Sequence, residues 1–326
     1  MMALDLRSLQ KVQRDTGFSA DFLEKAYHLT QILAGIFGNE ELGKSLALKG
    51  GTALNFVYLN VPRVSIDLDF NFVGALEKRA MLQARPMIAE GIAQVAASMG
   101  YRISEKPASY IMDRLLLRYA RLSGLPDSIK VEINYLERTP FLRIERKRFR
   151  DIFEGNPFLV DTYAAEEIAA MKTKAMVERL YARDIYDIYH MARLKLDRMM
   201  LRKLMILYML MAGKRPEMDA LILRVQKYDE QDIITAIKPF LREREVKRLN
   251  PAKIKKTVGE FYSEVFVLDE NDRRFLESLD SGKIDLRILF GEMDFIHQAN
   301  NHPALLRALE RKSKRPERLS NRRENG

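Results

Sequence analysis

The sequence predicts an α+β chain, with short strands and helices in an N-terminal unit and helices alone after a change near residue 160. Residues 64–73 and 128–136 carry that reading, because they alternate apolar and polar side chains with the two-residue period of a half-buried strand. From about Ala164 onward the apolar period is helical throughout, so an α/β or α+β unit precedes a helical one. The expected division is residues 1–160, residues 161–310 and a basic, disordered tail at 311–326.

Each element follows from a local pattern. In residues 19–37, Phe22, Ala26, Leu29, Leu33 and Ile36 recur at three- and four-residue spacing, the mark of an amphipathic helix. LALKGG is a short apolar run stopped by two glycines, a buried strand turning into a helix at Thr52. After a turn at 60–63, Ile66, Leu68, Phe70 and Phe72 face one side of a strand and Asp67, Asp69 and Asn71 the other. A long helix is expected over 77–99, with strands at 101–105, 115–122 and 128–136. In the last of these, Val131, Ile133 and Tyr135 oppose Lys130, Glu132 and Asn134. Helices are expected over 164–181, 184–194, 198–212, 217–227 and 252–267.

The 326 residues are 47% apolar and 31% charged, an ordinary globular composition, and the longest apolar run, Leu204 to Ala212, is too short to cross a bilayer. No membrane span is expected, and the first residues carry no secretory pattern, so the cytoplasm is the expected compartment. The absence of cysteine excludes thiol nucleophiles, disulfides, iron–sulfur ligation and cysteine zinc sites. His28, His190, His297 and His302 are too scattered for a histidine metal motif, so any metal should be hard and oxygen-bound. Net charge is +10, which fits either a polyanionic partner or simple solubility. The basic residues cluster, six against one acid in 138–150 and seven against two in 242–256, and this favours the polyanion.

Two carboxylates one apolar residue apart on a strand, Asp67 and Asp69, project from the same face and could share a divalent cation, or could simply face solvent. Gly50 and Gly51 lie between a strand and a helix start, where unpaired N–H groups suit a phosphate, although a glycine pair alone supports only a tight turn. Glu132 is a third carboxylate, either beside the two aspartates or in a cross-strand ion pair. On the 164–181 helix, Lys172 interrupts an apolar row with Ile168 and Met176, so it either meets an anion or snorkels from the helix edge. Lys174 and Glu178 read as an ion pair on the polar face. Asp184 and Asp187 open the next helix at the spacing of a capping box.

Lys49-Gly50-Gly51-Thr52-Ala53-Leu54, followed by Arg63, Ser65, Asp67, Leu68, Asp69 and Phe70, resembles the signature of the AbiEii/AbiGii nucleotidyltransferase toxins, of the DNA polymerase β-type nucleotidyltransferase superfamily. The glycine-to-aspartate gap is longer than in minimal nucleotidyltransferases and suits the larger members of the family. A second stretch, Ala170-Met171-Lys172 through Ala175, Arg179 and Arg183-Asp184-Ile185-Tyr186-Asp187, is similar to another segment of the family, so the resemblance runs from about Leu46 to Arg193. It implies a mixed sheet of the polymerase β type with flanking helices, a helical C-terminal domain, and membership of type IV toxin–antitoxin and abortive-infection systems.

The resemblance also implies a chemistry. Asp67 and Asp69, with Glu132 as a third ligand or proton acceptor, would hold Mg²⁺, or Mn²⁺ in its place. Gly50, Gly51, Thr52 and Ser65 would bind the NTP, with Lys172 on its phosphates and one of Asp184 and Asp187, Asp184 first, in the active site. The acceptor implied is RNA, with the tRNA 3′ end as the family's example, and a separately encoded antitoxin is the partner. Arg146, Lys147 and Arg148 follow the Glu132 strand directly and are expected beside the site as an RNA grip, with Phe141 and Phe149 as stacking surfaces. The alternatives are transfer of a nucleotide or phosphate to a protein hydroxyl, and a catalytically silent nucleotide- or nucleic-acid-binding protein.

Overall fold

The computed structural model describes residues 4–105, 109–280, 284–293 and 299–313. The alternating stretch at 64–73 forms β2 (Asp67–Phe72), which lies at the middle of a sheet with β1 (Leu46–Lys49), β3 (Arg102–Glu105), β4 (Met112–Ala120), β5 (Pro126–Asn134), β6 (Glu145–Arg148) and β7 (Leu159–Thr162). The strand order is β3-β4-β5-β2-β1-β7-β6. β2 runs parallel to β5, and β1 runs antiparallel to β2 and parallel to β7, so the sheet is mixed.

α2 (Ala20–Gly38) packs on β2, β5 and β7 and carries α1 (Leu6–Thr16) on it, α3 (Glu40–Ser45) packs on β1 and β7 and, after the α4 turn (Gly50–Ala53), α5 (Lys78–Ser98) packs on β3 and α2. The Phe37 ring of α2 meets Phe70 of β2 at 6.2 Å, and Leu68, Phe70 and Phe72 are buried. Removing such side chains from water is the main term holding the helices to the sheet. α6 (Ala165–Glu178), α7 (Ala182–Met191) and α8 (Arg198–Met211) follow, and α6 packs on both α7 and α8. Then come α9 (Met218–Gln226), α10 (Glu230–Ile237), α11 (Glu243–Val246), α12 (Pro251–Val265), α13 (Glu270–Asp280), α14 (Leu286–Phe290) and a helix at Pro303–Ser313. That last helix occupies the start of the segment expected as a disordered tail, and residues 314–326 lie outside the described residues. No helix is long and apolar enough to cross a membrane among the described residues.

β6 and β7 are strands that the sequence pattern does not predict. Each has four residues, and ERKR offers no apolar alternation, so the hydrophobic pattern carries no signal there. The two phenylalanines of the basic run are also placed differently from expectation. Phe141 stacks on His302 at 4.7 Å and Phe149 stacks on Phe56 at 5.1 Å; both are buried, so neither is a stacking surface for RNA. Basic neighbours in sequence concealed two core residues.

His302 begins the Pro303–Ser313 helix, its Nδ1 accepting from the Ala304 N–H at 3.2 Å, and burial pushes its pKa down to about 4. Desolvation also holds His28 and His190 at about 4. The unfolded chain therefore takes up these protons first as pH falls, so stability present above about pH 6.5 is lost toward pH 4. Glu167, on α6, works the other way: burial raises its pKa to about 7, so its contribution is lost as pH rises to that value. Burial also raises the carboxyl pKa values of Asp69, Asp161 and Asp272, but the three histidines should still make the melting temperature fall between pH 6.5 and 4, followed by circular dichroism. His302→Asn, which keeps a capping oxygen, should lessen the accompanying loss of stability by up to about 3 kcal/mol.

Candidate active site

The catalytic candidates lie on the sheet face opposite the buried Leu68 and Phe70. β2 pairs Asp67 with Lys130 and Asp69 with Glu132 on β5, while β1 pairs Lys49 with Asp69 and β4 pairs Arg114 with Glu132. Residues directly paired across a ladder project to the same side, so three carboxylates and three cations share this face. Glu132 is held by Arg114 and by Lys130 at 3.0 Å, and Lys130 also reaches Asp67 at 3.7 Å. Burial would raise the Glu132 pKa, but Lys130 and Arg114 more than offset it and keep the carboxyl below its ordinary range. Asp69 is the exception. Its carboxylate has no hydrogen bond or ion pair among the described residues, and burial lifts its pKa, with Asp67 and Glu132 adding to the rise against Lys49 and Lys130.

The glycines are required by this geometry. Gly50 turns the chain from β1 into α4 with φ +71°, and a Cβ there would collide with Oδ2 of Asp69. A Cβ on Gly51 would sit 2.7 Å from Nη2 of Arg63 and 3.0 Å from Oγ of Ser65. Gly50→Ala should therefore combine left-handed backbone strain with a displaced Asp69, lowering activity more than stability. Comparing turnover with the urea midpoint checks this. The buried Thr52 hydroxyl donates to the Asp67 carbonyl at 2.6 Å, so it pins α4 to the start of β2 and is not the group that would meet a phosphate, which leaves the backbone N–H for that role.

Beneath this face a chain of buried charges joins the two family-like stretches. Arg63 grips Asp187 with two bonds of 2.7 Å; Lys172 meets Asp187 at 2.7 Å and Asp184 at 3.1 Å; Arg179 meets Asp184 at 2.9 Å. Asn55 adds a bond from its amide to the Gly51 carbonyl at 2.9 Å and one to Asp187 at 3.3 Å. Burial opposes the charged form of Asp187, but Arg63 and Lys172 hold its pKa well below the ordinary range. The anion that Lys172 needed in its apolar row is thus the Asp184–Asp187 pair. Neither aspartate caps α7, whose N-cap is Tyr181, and both turn inward. Arg183, adjacent in sequence, lies instead over the Phe240 ring at 5.1 Å.

Among the described residues no three His, Asp or Glu side chains converge as a ready metal cluster. The chemistry of the donors nonetheless fits a divalent cation at Asp67 and Asp69. A half-buried carboxylate with no partner and a raised pKa is the group that a cation would relieve. Glu132 fits less well, since two basic side chains already hold it.

The structure brings together Gly50, Gly51, Ser65, Asp67, Asp69 and Glu132, with Lys172 and Asp184 in the layer below. It places Arg146, Lys147 and Arg148 elsewhere. They form β6, the sheet edge, separated from β2 by β1 and β7, which is three strand spacings or roughly 14 Å. Sequence adjacency to the Glu132 strand was a poor guide because the chain passes β2, β1 and β7 after β5 to reach the sheet edge. Two residues to which the sequence pattern gives no role do belong here: Arg63, fixed under Gly51, and Arg179, half-exposed and within the field of Asp69.

The profile of the family described as "Nucleotidyl transferase AbiEii toxin, Type IV TA system" matches residues 31–290, well over half of the chain. The chain belongs to this family. This AbiEii-family protein is accordingly a nucleotidyltransferase toxin of a toxin–antitoxin system, with an NTP as substrate and an antitoxin as partner. The match extends into the C-terminal third, beyond the two motifs that carry the resemblance in sequence. Among solved structures it is similar to MenT4, the nucleotidyltransferase toxin Rv2826c from Mycobacterium tuberculosis H37Rv, with a TM-score of 0.65 and 18% identity over 94% of this chain and 99% of that one. It is more distantly similar to JHP933 from Helicobacter pylori, with a TM-score of 0.49 and 18% identity over 81% and 98% of the two chains. No curated protein matches it significantly by sequence.

Proposed function

We propose that this AbiEii-family enzyme transfers a nucleotide from an NTP to an RNA hydroxyl, with Mg²⁺ at Asp67 and Asp69. The observation that carries the reading is the register of β1, β2 and β5, which sets an unpaired Asp69 against Gly50 and beside Asp67. A divalent ion bound there would neutralise phosphate charge and lower the pKa of the attacking hydroxyl. The acceptor oxygen forms a bond to the α-phosphorus as pyrophosphate leaves, and the hydroxyl proton passes to solvent. The missing Cβ atoms of Gly50 and Gly51 let Asp69, Arg63 and Ser65 close on the turn, and the backbone N–H groups at the start of α4 would meet the triphosphate. Lys130 and Arg114 hold the Glu132 pKa below its ordinary range, which makes it a weak base, so it serves mainly to fix the Lys130 ammonium beside Asp67. Lys172 acts through Asp184 and Asp187, which hold Arg63 under Gly51 and Arg179 at the rim.

The basic excess supports RNA as the acceptor, and the cytoplasm, where RNA and NTP are abundant, as the compartment. Incubating the protein with total RNA and each labelled NTP in Mg²⁺, with and without chelator, tests the reading. Label in RNA, and in tRNA in particular, is the expected result; label in protein would replace the acceptor. The β6 edge is a more remote RNA contact than the sequence suggested. Arg146 and Lys147 have acidic neighbours, Asp161 at 3.9 Å and Glu145 at 3.2 Å, so Arg148 should contribute most. Neutralising Arg146, Lys147 and Arg148 together should flatten the logarithmic salt dependence of RNA binding by about 0.7 to 0.9 for each phosphate that the protein no longer neutralises. NTP binding should stay unchanged, and an unaltered salt slope would remove β6 from the RNA path.

A further inference from the structure

Between α6 and α7 the chain presents Leu180 and Tyr181 to solvent, 44% and 55% exposed, next to Arg179, whose guanidinium lies within the field of Asp69. The guanidinium of Arg179 lies 4.7 Å from the Tyr181 ring centroid, so one face of the ring is backed by a cation while much of the ring stays open. Arg179 is not free to swing away, because Asp184 holds it at 2.9 and 3.3 Å. From Asp184 the network runs through Lys172, Asp187 and Arg63 to the Gly51 turn. The ring is thus tied, through the half-exposed Arg179 and then a buried chain of charges, to the turn beside Asp69. A rigid, cation-backed aromatic face at the edge of a phosphate-handling site offers what a purine or pyrimidine needs, a flat surface of matched size with little ordering cost.

We propose that Tyr181 is the stacking platform for a nucleobase at this site, with Arg179 bridging between the ring and the phosphates. This rests on the reading of Asp67 and Asp69 as the catalytic acids. It adds a binding residue that the motif pattern does not contain, and it fits a stacking contact that is tolerant of base identity.

The chain has no tryptophan, so Tyr181→Trp introduces a single indole at this position. Titration with an NTP should quench its emission saturably, whereas inorganic tripolyphosphate should not. With acceptor saturating, Tyr181→Ala should raise KM for the NTP roughly 5- to 150-fold with kcat within about twofold, and Tyr181→Phe should keep the parent value. If a single-stranded RNA oligonucleotide quenches and the NTP does not, the base is the acceptor's, and KM for RNA should move instead. The side chain is exposed, so all three variants should melt as the parent does. Equilibrium binding of a radiolabelled NTP to Y181W without any quenching by NTP or RNA would overturn the proposal, as would Y181A with both KM values unchanged. Full transfer by Asp69→Ala would overturn the placement of the acids instead, and the quenching result would then stand or fall by itself.

Discussion

Asp69→Ala should cost nucleotide transfer roughly a thousandfold or more, the equivalent of about 4 kcal/mol of transition-state charge stabilisation, while the variant melts no lower than the parent. The two effects separate because of how Asp69 is held. It has no partner whose removal would destabilise the fold, and its pKa is raised by burial, so its ionised form is a burden on the folded state that alanine removes. Asp67→Ala should lose transfer similarly, with a smaller gain in stability, because Lys130 then forfeits its ion pair at 3.7 Å. Labelled-NTP incorporation and thermal melts on the same preparations check both variants. Full activity in either would remove the acids from the mechanism.

Lys172→Met should destabilise the protein by about 3–5 kcal/mol, read as a lower urea midpoint at constant m. Methionine would suit the row that Lys172 shares with Ile168 and Met176, and that row by itself would point to no loss. The structure reverses the sign: removal of the ammonium leaves Asp184 and Asp187 buried against each other with only Arg179 and Arg63 to balance them. Transfer should fall as well, through loosening of Arg63 beneath Gly51. A variant with the parent midpoint would show that the network is dispensable for stability.

The legible parts of this molecule are those where one pattern has one physical cause. The alternation in β2 and β5 names the buried face and the acidic face together, because one residue of slip would exchange them. Lys172 was visible as a charge in an apolar row, yet its partners are separated from it by a helix end and a turn, and periodicity within one helix cannot reach them. Asp184 and Asp187 were misread for a related reason. A three-residue spacing is shared by a capping box and by two residues on one inward face of a helix, and only tertiary packing distinguishes them. Arg63 lay inside a recognised motif but had no assigned role, since its function is to meet Asp187, 124 residues further along. Arg146 to Arg148 were misplaced because sequence neighbours at the end of a strand need not be neighbours across a sheet.

That long reach between Arg63 and Asp187 bears on how such a toxin is made. By residue 134 the ribosome has supplied β1, β2 and β5, and hence every carboxylate of the acidic face. The turn that presents them is still incomplete, because Arg63 has no counter-charge and Asn55 lacks its second acceptor until the α6–α7 segment arrives. At about 5–20 residues per second, the roughly 50 residues that separate β5 from Asp187 take about 3–10 seconds to synthesise. Contacts of such sequence separation also form late, after the entropy of closing a long loop has been overcome. A chain that ends before α7 therefore carries the acids without the bonds that hold Arg63 and Asn55 around the Gly51 turn.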